Sequence, residues 1–185
     1  MINGLQYIPD FLSQEEQDAI LSEVDSRSWL NDLKRRVQHY GYKYDYTLRQ
    51  IDHSLYVGEL PTFAIEIAER MLDNSIIKQM PDQLIVNEYL PGQGINAHID
   101  CVPCFTDQII TISLGWAYEM EFTNILTKEK YKLLLETGSV ASMVDEARYS
   151  WTHQIRARQK DGETLRKRRV SLTFRNVILK DIENG

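Results

Sequence analysis

Apolar positions recur at helical spacing in two stretches of the N-terminal part and give way, past Pro81, to short β-rich runs separated by turn residues. Ala19, Ile20, Val24 and Leu30 follow Ser13-Gln-Glu-Glu16, a capping-box spacing, so residues 13–30 are predicted to form one amphipathic helix. A second helix is predicted over 61–73: Pro61 suits its first turn, and Phe63, Ile67 and Met71 form an i, i+4, i+8 stripe widened by Ala64, Ile65, Ala68 and Leu72. Runs at 83–89, 108–114, 117–123, 131–135, 140–144, 150–155 and 169–179 read as strands, and the charged stretch 156–168 as a loop or hairpin tip. Seven strands with no helix between them predict a sandwich, a barrel or a jelly roll. No repeat or linker interrupts the pattern, so 1–185 is expected to be one domain, with a helical part over about 1–80 and a β core over about 81–180.

The 185 residues are 43% hydrophobic and 26% charged, which excludes collagen-like, low-complexity and largely disordered classes. A chain of this length hides about 70% of its unfolded surface, so its core needs no metal or covalent staple. With a net charge of -6, a polyanion would have to find a local patch. Two cysteines are too few for a disulfide scaffold, and the N-terminus lacks the basic and apolar blocks of a secretory signal. No apolar run reaches the roughly 18 residues a bilayer span needs. A soluble protein in a reducing intracellular setting, without a membrane partner, is therefore expected. Cys101-Val-Pro-Cys104 has no second cysteine pair to complete a zinc site and reads as a structural or tolerated pair.

Candidate chemistry lies in Asn87-Glu-Tyr89-Leu-Pro-Gly-Gln-Gly-Ile-Asn-Ala-His98-Ile-Asp100. In extended chain, positions i and i+2 share a face, so His98 and Asp100 can converge on one ion. His153, within Tyr149-Ser-Trp-Thr-His-Gln-Ile, would complete two histidines and one carboxylate, a facial set that leaves three octahedral positions open and suits Fe(II). Arg169, Ser171, Thr173 and Arg175 alternate with Val170, Leu172 and Phe174. They form either the polar outer face of a half-exposed strand or a polar lining in which an arginine fork meets a carboxylate.

Asn87-x-Tyr89, His98-x-Asp100, His153 and Arg169-x-Ser-x-Thr-x-Arg175, in this order and at these separations, resemble the AlkB family of Fe(II)- and 2-oxoglutarate-dependent dioxygenases from about residue 35 to 178. Arg35-Arg-Val-Gln-His-Tyr-Gly41, Ser113-Leu-Gly115 and Arg148-Tyr-Ser-Trp-Thr-His153 look most like its members that hydroxylate a modified wobble uridine in tRNA. The resemblance implies an α+β, mainly β fold: a double-stranded β-helix (jelly roll) with the N-terminal helices packed on one sheet. It implies that His98, Asp100 and His153 bind Fe(II) and that Arg169, helped by Tyr89, pairs with the distal carboxylate of 2-oxoglutarate. Asn87 and Arg175 would lie near the other end of that diacid. Ser171 stands where many relatives have an asparagine and reaches less far, and Thr173 would pack structurally. The implied reaction uses dioxygen to oxidise a substrate C–H bond, dealkylating nucleobases in DNA or RNA; a modified tRNA uridine is the alternative target. A carboxylate-binding module without turnover and a protein or small-molecule hydroxylase are further alternatives. The expected partner is single-stranded DNA, RNA or tRNA, and the expected form a monomer in cytoplasm or nucleus.

Lys34, Arg35 and Arg36, then His39, and Tyr40, Tyr42, Tyr44 and Tyr46 at period two, precede the core in the place of the family's nucleotide-recognition lid. Aromatics stack extruded bases while cations hold phosphates, and the same tyrosine face would equally serve to pack a sheet. Arg35, Arg36, His39 and Tyr40 are the candidate substrate contacts, with Trp151, two residues before His153, as a pocket wall. Arg156, Arg158, Lys160, Arg166, Lys167 and Arg168 offer a second patch, either solvated surface or phosphate contact; the latter would make binding fall steeply with salt.

Overall fold

The computed structural model describes residues 2–31, 35–44 and 50–180, so Lys34, Asp45 and Tyr46 of the expected lid segment lie outside the described residues. The strands are β1 (Leu5–Ile8), β2 (Val37–Tyr42), β3 (Tyr56–Gly58), β4 (Gln83–Tyr89), β5 (Ile95–His98), β6 (Ile109–Leu114) and β7 (Tyr118–Asn124). They continue with β8 (Lys130–Leu135), β9 (Val140–Met143), β10 (Trp151–Ile155), β11 (Lys160–Asp161), β12 (Thr164–Leu165) and β13 (Arg169–Arg175). The helices are α1 (Gln14–Ser26), α2 (Thr62–Asp73) and α3 (Asp145–Tyr149). A larger sheet in the order β1-β9-β6-β13-β4-β2-β3 faces a smaller one in the order β5-β10-β7-β8, and β11 and β12 form a separate hairpin. All their pairings are antiparallel, the jelly-roll architecture expected.

The two faces of the larger sheet meet different surroundings. Leu84 and Val86 of β4, Ile110 and Ile112 of β6, and Val170, Leu172 and Phe174 of β13 pack against Ile20 and Val24 of α1 and Phe63, Ile67 and Met71 of α2. The opposite face meets the smaller sheet through Tyr89, Ile109, Tyr118, Met120, Phe122 and Ile155. The two N-terminal helices thus cover one side of the sheet, and the space between the sheets is left for the site.

The capping box forms: Glu16 N–H donates to Ser13 Oγ at 3.2 Å and Ser13 N–H to Glu16 Oε2 at 2.8 Å. The first helix stops at Ser26, short of the expected residue 30, because Arg27 is extended and Leu30 bridges Val37 instead. Pro61 caps α2 from outside its first turn, its carbonyl accepting from Ala64 and Ile65. The outer helical layer is acidic: α1 carries Glu15, Glu16, Asp18, Glu23 and Asp25, and α2 carries Glu66, Glu69 and Asp73. Among the described residues, no helix is long and apolar enough to cross a membrane.

The strict period-two reading of the tyrosines fails at Gly41, whose φ is +73 and where the pairing of β2 with β3 slips. A Cβ there would sit 1.8 Å from the Asp82 carbonyl oxygen, so only glycine fits. Before the slip, Tyr40 packs on the helical side; beyond it, Tyr42 and Tyr44 turn to the inter-sheet core.

Candidate active site

The pleat of β13 places Arg169, Ser171, Thr173 and Arg175 on the inter-sheet face, opposite Tyr89, Asn87, Ile85 and Gln83 of β4. Ser171 and Thr173 also pair with Ser113 and Thr111 of β6. Between the sheets opens a cavity of about 1420 Å³ lined by Asn87, Tyr89, Arg169, Ser171 and Arg175 together with His98, Asp100 and His153. Ligand sites commonly occupy roughly 300–1,000 Å³, so a five-carbon diacid would leave room here for a larger second molecule.

His98 ends β5 and pairs directly with His153 of β10, their ring centroids 4.3 Å apart. Asp100 follows just outside the strand, and one donor atom from each of the three residues lies within 4.8 Å of the others. His98 Nδ1 is 2.8 Å from the Asn96 carbonyl oxygen, a contact that needs the proton on Nδ1 and leaves the Nε2 lone pair free. Burial pushes the His153 imidazole down to about 4, against the pull of Asp100, so it is neutral at pH 7 and able to coordinate. Burial would raise the Asp100 carboxyl, but Arg175, the two histidines and Arg148 overcome it and hold the group at about 2. Arg175 Nη2 donates to Asp100 Oδ1 at 3.0 Å.

Asp100 is also fixed from its backbone. Buried Arg148 donates Nη1 to the Asp100 carbonyl at 2.8 Å and reaches the Cys101 and Thr106 carbonyls at 3.4 Å. The turn that follows is closed by a Cys101–Cys104 disulfide, so the pair read as structural or tolerated is covalently joined and Cys101 lines the cavity wall.

At the other end of the cavity Arg169 is 1% exposed. Its Nη2 donates to Ser113 Oγ at 2.8 Å, while Nε and Nη1 have no hydrogen-bond partner among the described residues. Burial lowers the guanidinium to about 10, with Tyr89 and Tyr118 opposing, so it stays cationic at neutral pH. Arg35 Nε donates to Asn87 Oδ1 at 2.9 Å, and its Cζ lies 5.5 Å from the Tyr89 ring centroid.

Of the candidate substrate contacts, Arg35 lines the cavity, whereas Arg36, His39, Tyr40 and Trp151 do not. Alternation along the chain explains the first split. Arg36 turns to the helical side, where both oxygens of Glu88 accept from it at 2.6 and 2.7 Å, and Tyr40 donates to Gln38 Oε1 at 2.9 Å. His39 pairs with Ile85 within the sheet, and Trp151 belongs to the inter-sheet core. The second basic patch is largely neutralised: Arg156 donates to Glu121, Arg158 to Glu119 and Asp161, and Arg168 to Glu88 and Asp25. Its acidic partners lie up to 143 residues away in sequence, beyond the reach of local pattern. Ser113 and Arg148 fall within strings that carry the resemblance, but their support of Arg169 and Asp100, like that of Gln83 for Arg175, shows only once the chain is folded.

Two imidazoles and a carboxylate at one end of a jelly roll are the donor set of non-haem Fe(II) oxygenases. The model of the 2OG-Fe(II) oxygenase superfamily matches residues 4–175. An uncharacterized protein of Acanthamoeba polyphaga mimivirus is 34% identical over 188 residues, covering 99% of this chain and 89% of that protein. The Arabidopsis thaliana alkylated DNA repair protein ALKBH8 homolog is 36% identical, over 95% of this chain and 59% of its own length. The mouse tRNA (carboxymethyluridine(34)-5-O)-methyltransferase ALKBH8 is 37% identical, over 85% of this chain and 25% of its own length. The chain therefore spans about three fifths of the plant relative and a quarter of the mouse one. The structure of OsALKBH1 superposes with a TM-score of 0.75 at 18% identity, covering 95% of this chain and 98% of that one, and so shares the fold. The chain belongs to the 2OG-Fe(II) oxygenase superfamily, in its AlkB group, and is a dioxygenase whose cofactors are Fe(II) and 2-oxoglutarate.

Proposed function

We propose that this chain oxidatively dealkylates nucleobases in DNA or RNA, with His98, Asp100 and His153 holding Fe(II) and Arg169 holding the distal carboxylate of 2-oxoglutarate. The observation that carries the reading is Arg169: a buried cation at the cavity wall whose Nε and Nη1 lack acceptors among the described residues. Such a group is costly until an anion meets it, and a carboxylate entering the cavity supplies a charged acceptor for a donor that the protein leaves unmet. The donor set at the opposite end suits the metal equally: His98, a neutral His153 imidazole and an ionised Asp100 carboxylate.

When bound, iron and 2-oxoglutarate supply the oxidative decarboxylation that puts one oxygen atom of O₂ into a substrate C–H bond and the other into succinate. The chain's own residues position and insulate. Arg169 and Ser113 seat one end of the diacid, Arg175 keeps Asp100 ionised, and Arg148 fixes the turn that carries it. Arg35 and Asn87 border the space left for the base. On an N-methyl group the new hydroxyl gives a hemiaminal that releases formaldehyde and leaves the unmodified base. The plant relative, named for repair of alkylated DNA, supports this substrate class. We place the enzyme in cytoplasm or nucleus, acting as a single chain.

The mouse relative, named for a tRNA carboxymethyluridine, favours a second reading in which the same cavity hydroxylates a modified uridine and keeps the oxygen. Mass spectrometry separates the two. Incubation of the iron-loaded protein with methylated oligonucleotides should release formaldehyde with loss of the methyl mass. A gain of one oxygen on modified tRNA, without formaldehyde, would replace dealkylation with hydroxylation. Succinate formation on neither substrate would overturn both.

A further inference from the structure

Arg156, Ala157 and Arg158 of the charged stretch 156–168 border the cavity, and a further arginine of the stretch is buried behind them without lining it. Arg166 is 3% exposed. It donates Nε and Nη2 to the two oxygens of Asp161 at 2.7 and 2.9 Å, and Nη1 to the Arg156 carbonyl at 2.6 Å. Its Cζ lies 4.1 Å from the centroid of the Tyr118 ring. Tyr118 is itself fully buried, its hydroxyl donating to the Lys167 carbonyl at 2.9 Å and its ring 6.3 Å from that of Tyr89. The Arg169 Cζ lies 6.0 Å from the Tyr118 centroid and 5.4 Å from that of Tyr89.

Cations and rings therefore alternate, Arg166 to Tyr118 to Arg169 to Tyr89, from the β11–β12 hairpin to the cavity. A cation beside an aromatic ring is held by the ring's quadrupole, more strongly where water is excluded. Hydrogen bonding fixes Arg169 at one atom, Nη2 on Ser113. The two rings provide the rest of its location, and the Tyr118 ring is located in turn by Arg166.

We propose that Arg166 is a positioning residue for the diacid subsite: anchored by Asp161, it fixes Tyr118, which sets where Arg169 presents its free donors and hence which diacid length fits. This rests on the reading of Arg169 as the anchor of 2-oxoglutarate. Placement of a guanidinium decides whether both carboxylate oxygens are met or one. A residue that sets that placement should therefore affect selectivity as well as affinity.

Calorimetric titration of 2-oxoglutarate, and separately of the one-carbon-longer 2-oxoadipate, into the Mn(II)-loaded protein tests this without turnover. Arg166→Leu and Asp161→Asn should each weaken 2-oxoglutarate about tenfold, leave Mn(II) affinity within about twofold, and erode the preference for 2-oxoglutarate over 2-oxoadipate. Arg166→Lys, which keeps a cation beside Tyr118, should recover part of the loss. Should Arg166→Leu fail to fold, Asp161→Asn and Arg166→Lys carry the decision. Variants with the wild-type melting midpoint that bind 2-oxoglutarate within twofold of wild type would overturn the proposal. So would equal loss of both diacids, the mark of a purely structural role. Arg169→Leu serves as control: if it binds 2-oxoglutarate normally, the underlying assignment of Arg169 falls and this inference falls with it.

Discussion

Arg168 and Arg169 are consecutive, yet their guanidiniums lie on opposite sides of the larger sheet. Arg168 donates to Glu88 at 2.7 Å and to Asp25 of α1 at 2.5 and 2.8 Å, whereas Arg169 reaches Ser113 at 2.8 Å inside the cavity. The same alternation separates Arg36 from Arg35 and Glu88 from Tyr89. A charged network on the helical side thus sits one residue away from each of three cavity residues. Because a one-residue slip would exchange the two faces, this network helps fix the register on which the site depends.

That relationship makes Glu88 a joint whose loss is measurable. Glu88→Gln should lower folding stability by about 1–2 kcal/mol, a modest figure because Arg36 and Arg168 are partly exposed. Hydrogen bonds from Arg36, opposed by burial and joined by Arg168, hold the Glu88 carboxyl below its ordinary 4.5. A carboxyl depressed on folding contributes stability above its unfolded value and loses it as pH falls through the folded one. Urea denaturation should therefore show a constant gap between wild type and variant from about pH 7 to 5, closing below pH 4.5.

Asp100→Ala should abolish iron retention and succinate release together. Metal analysis of the purified variant beside wild type checks this, since the two histidines left behind form an incomplete donor set and Arg175 loses its acceptor.

Ser113→Ala should raise the KM for 2-oxoglutarate about tenfold or more, because Arg169 loses the acceptor that orients it and a hydrogen bond to a charged group contributes about 1.5–3 kcal/mol. Ser113→Thr, which retains a hydroxyl, should lie between the two in steady-state kinetics.

Gly41→Ala should cost at least about 2 kcal/mol, from the left-handed backbone and the contact with the Asp82 carbonyl combined. Thermal unfolding gives the answer directly.

Single-stranded oligonucleotide affinity should fall only gently with salt, with a log–log slope shallower than about -2. The arginines of the 156–168 stretch already have carboxylate partners, so few remain to release counterions. A slope near -4 in fluorescence anisotropy would show that these ion pairs open on binding.

Much of the fold was legible because it is written in periodicities. The alternation of Arg169, Ser171, Thr173 and Arg175 with Val170, Leu172 and Phe174 reflects a strand whose two faces meet different surroundings, and the apolar stripe of α2 reflects one buried side. The run 83–89 matches β4 residue for residue. What escaped depends on partners far away in sequence. Arg36 and Arg156 look like phosphate ligands until Glu88 and Glu121 are brought beside them. The tyrosine row looks one-sided until Gly41 takes a positive φ and the register slips. β1 and β3 are short edge strands with little pattern of their own, and Ser113 supports Arg169 only through the pairing of β6 with β13.

On the side of the molecule turned away from the cavity, the acids of α1 and α2 outnumber Arg27, Arg70 and Arg168, which pair with Glu23, Glu16 and Asp25. An approaching polyanion is repelled from that flank before any contact is made, so the molecule is rotated by the encounter rather than gripped by it. For a chain of net charge -6, electrostatics then acts as a compass more than as glue, selecting the direction of collision while short-range fit decides what stays.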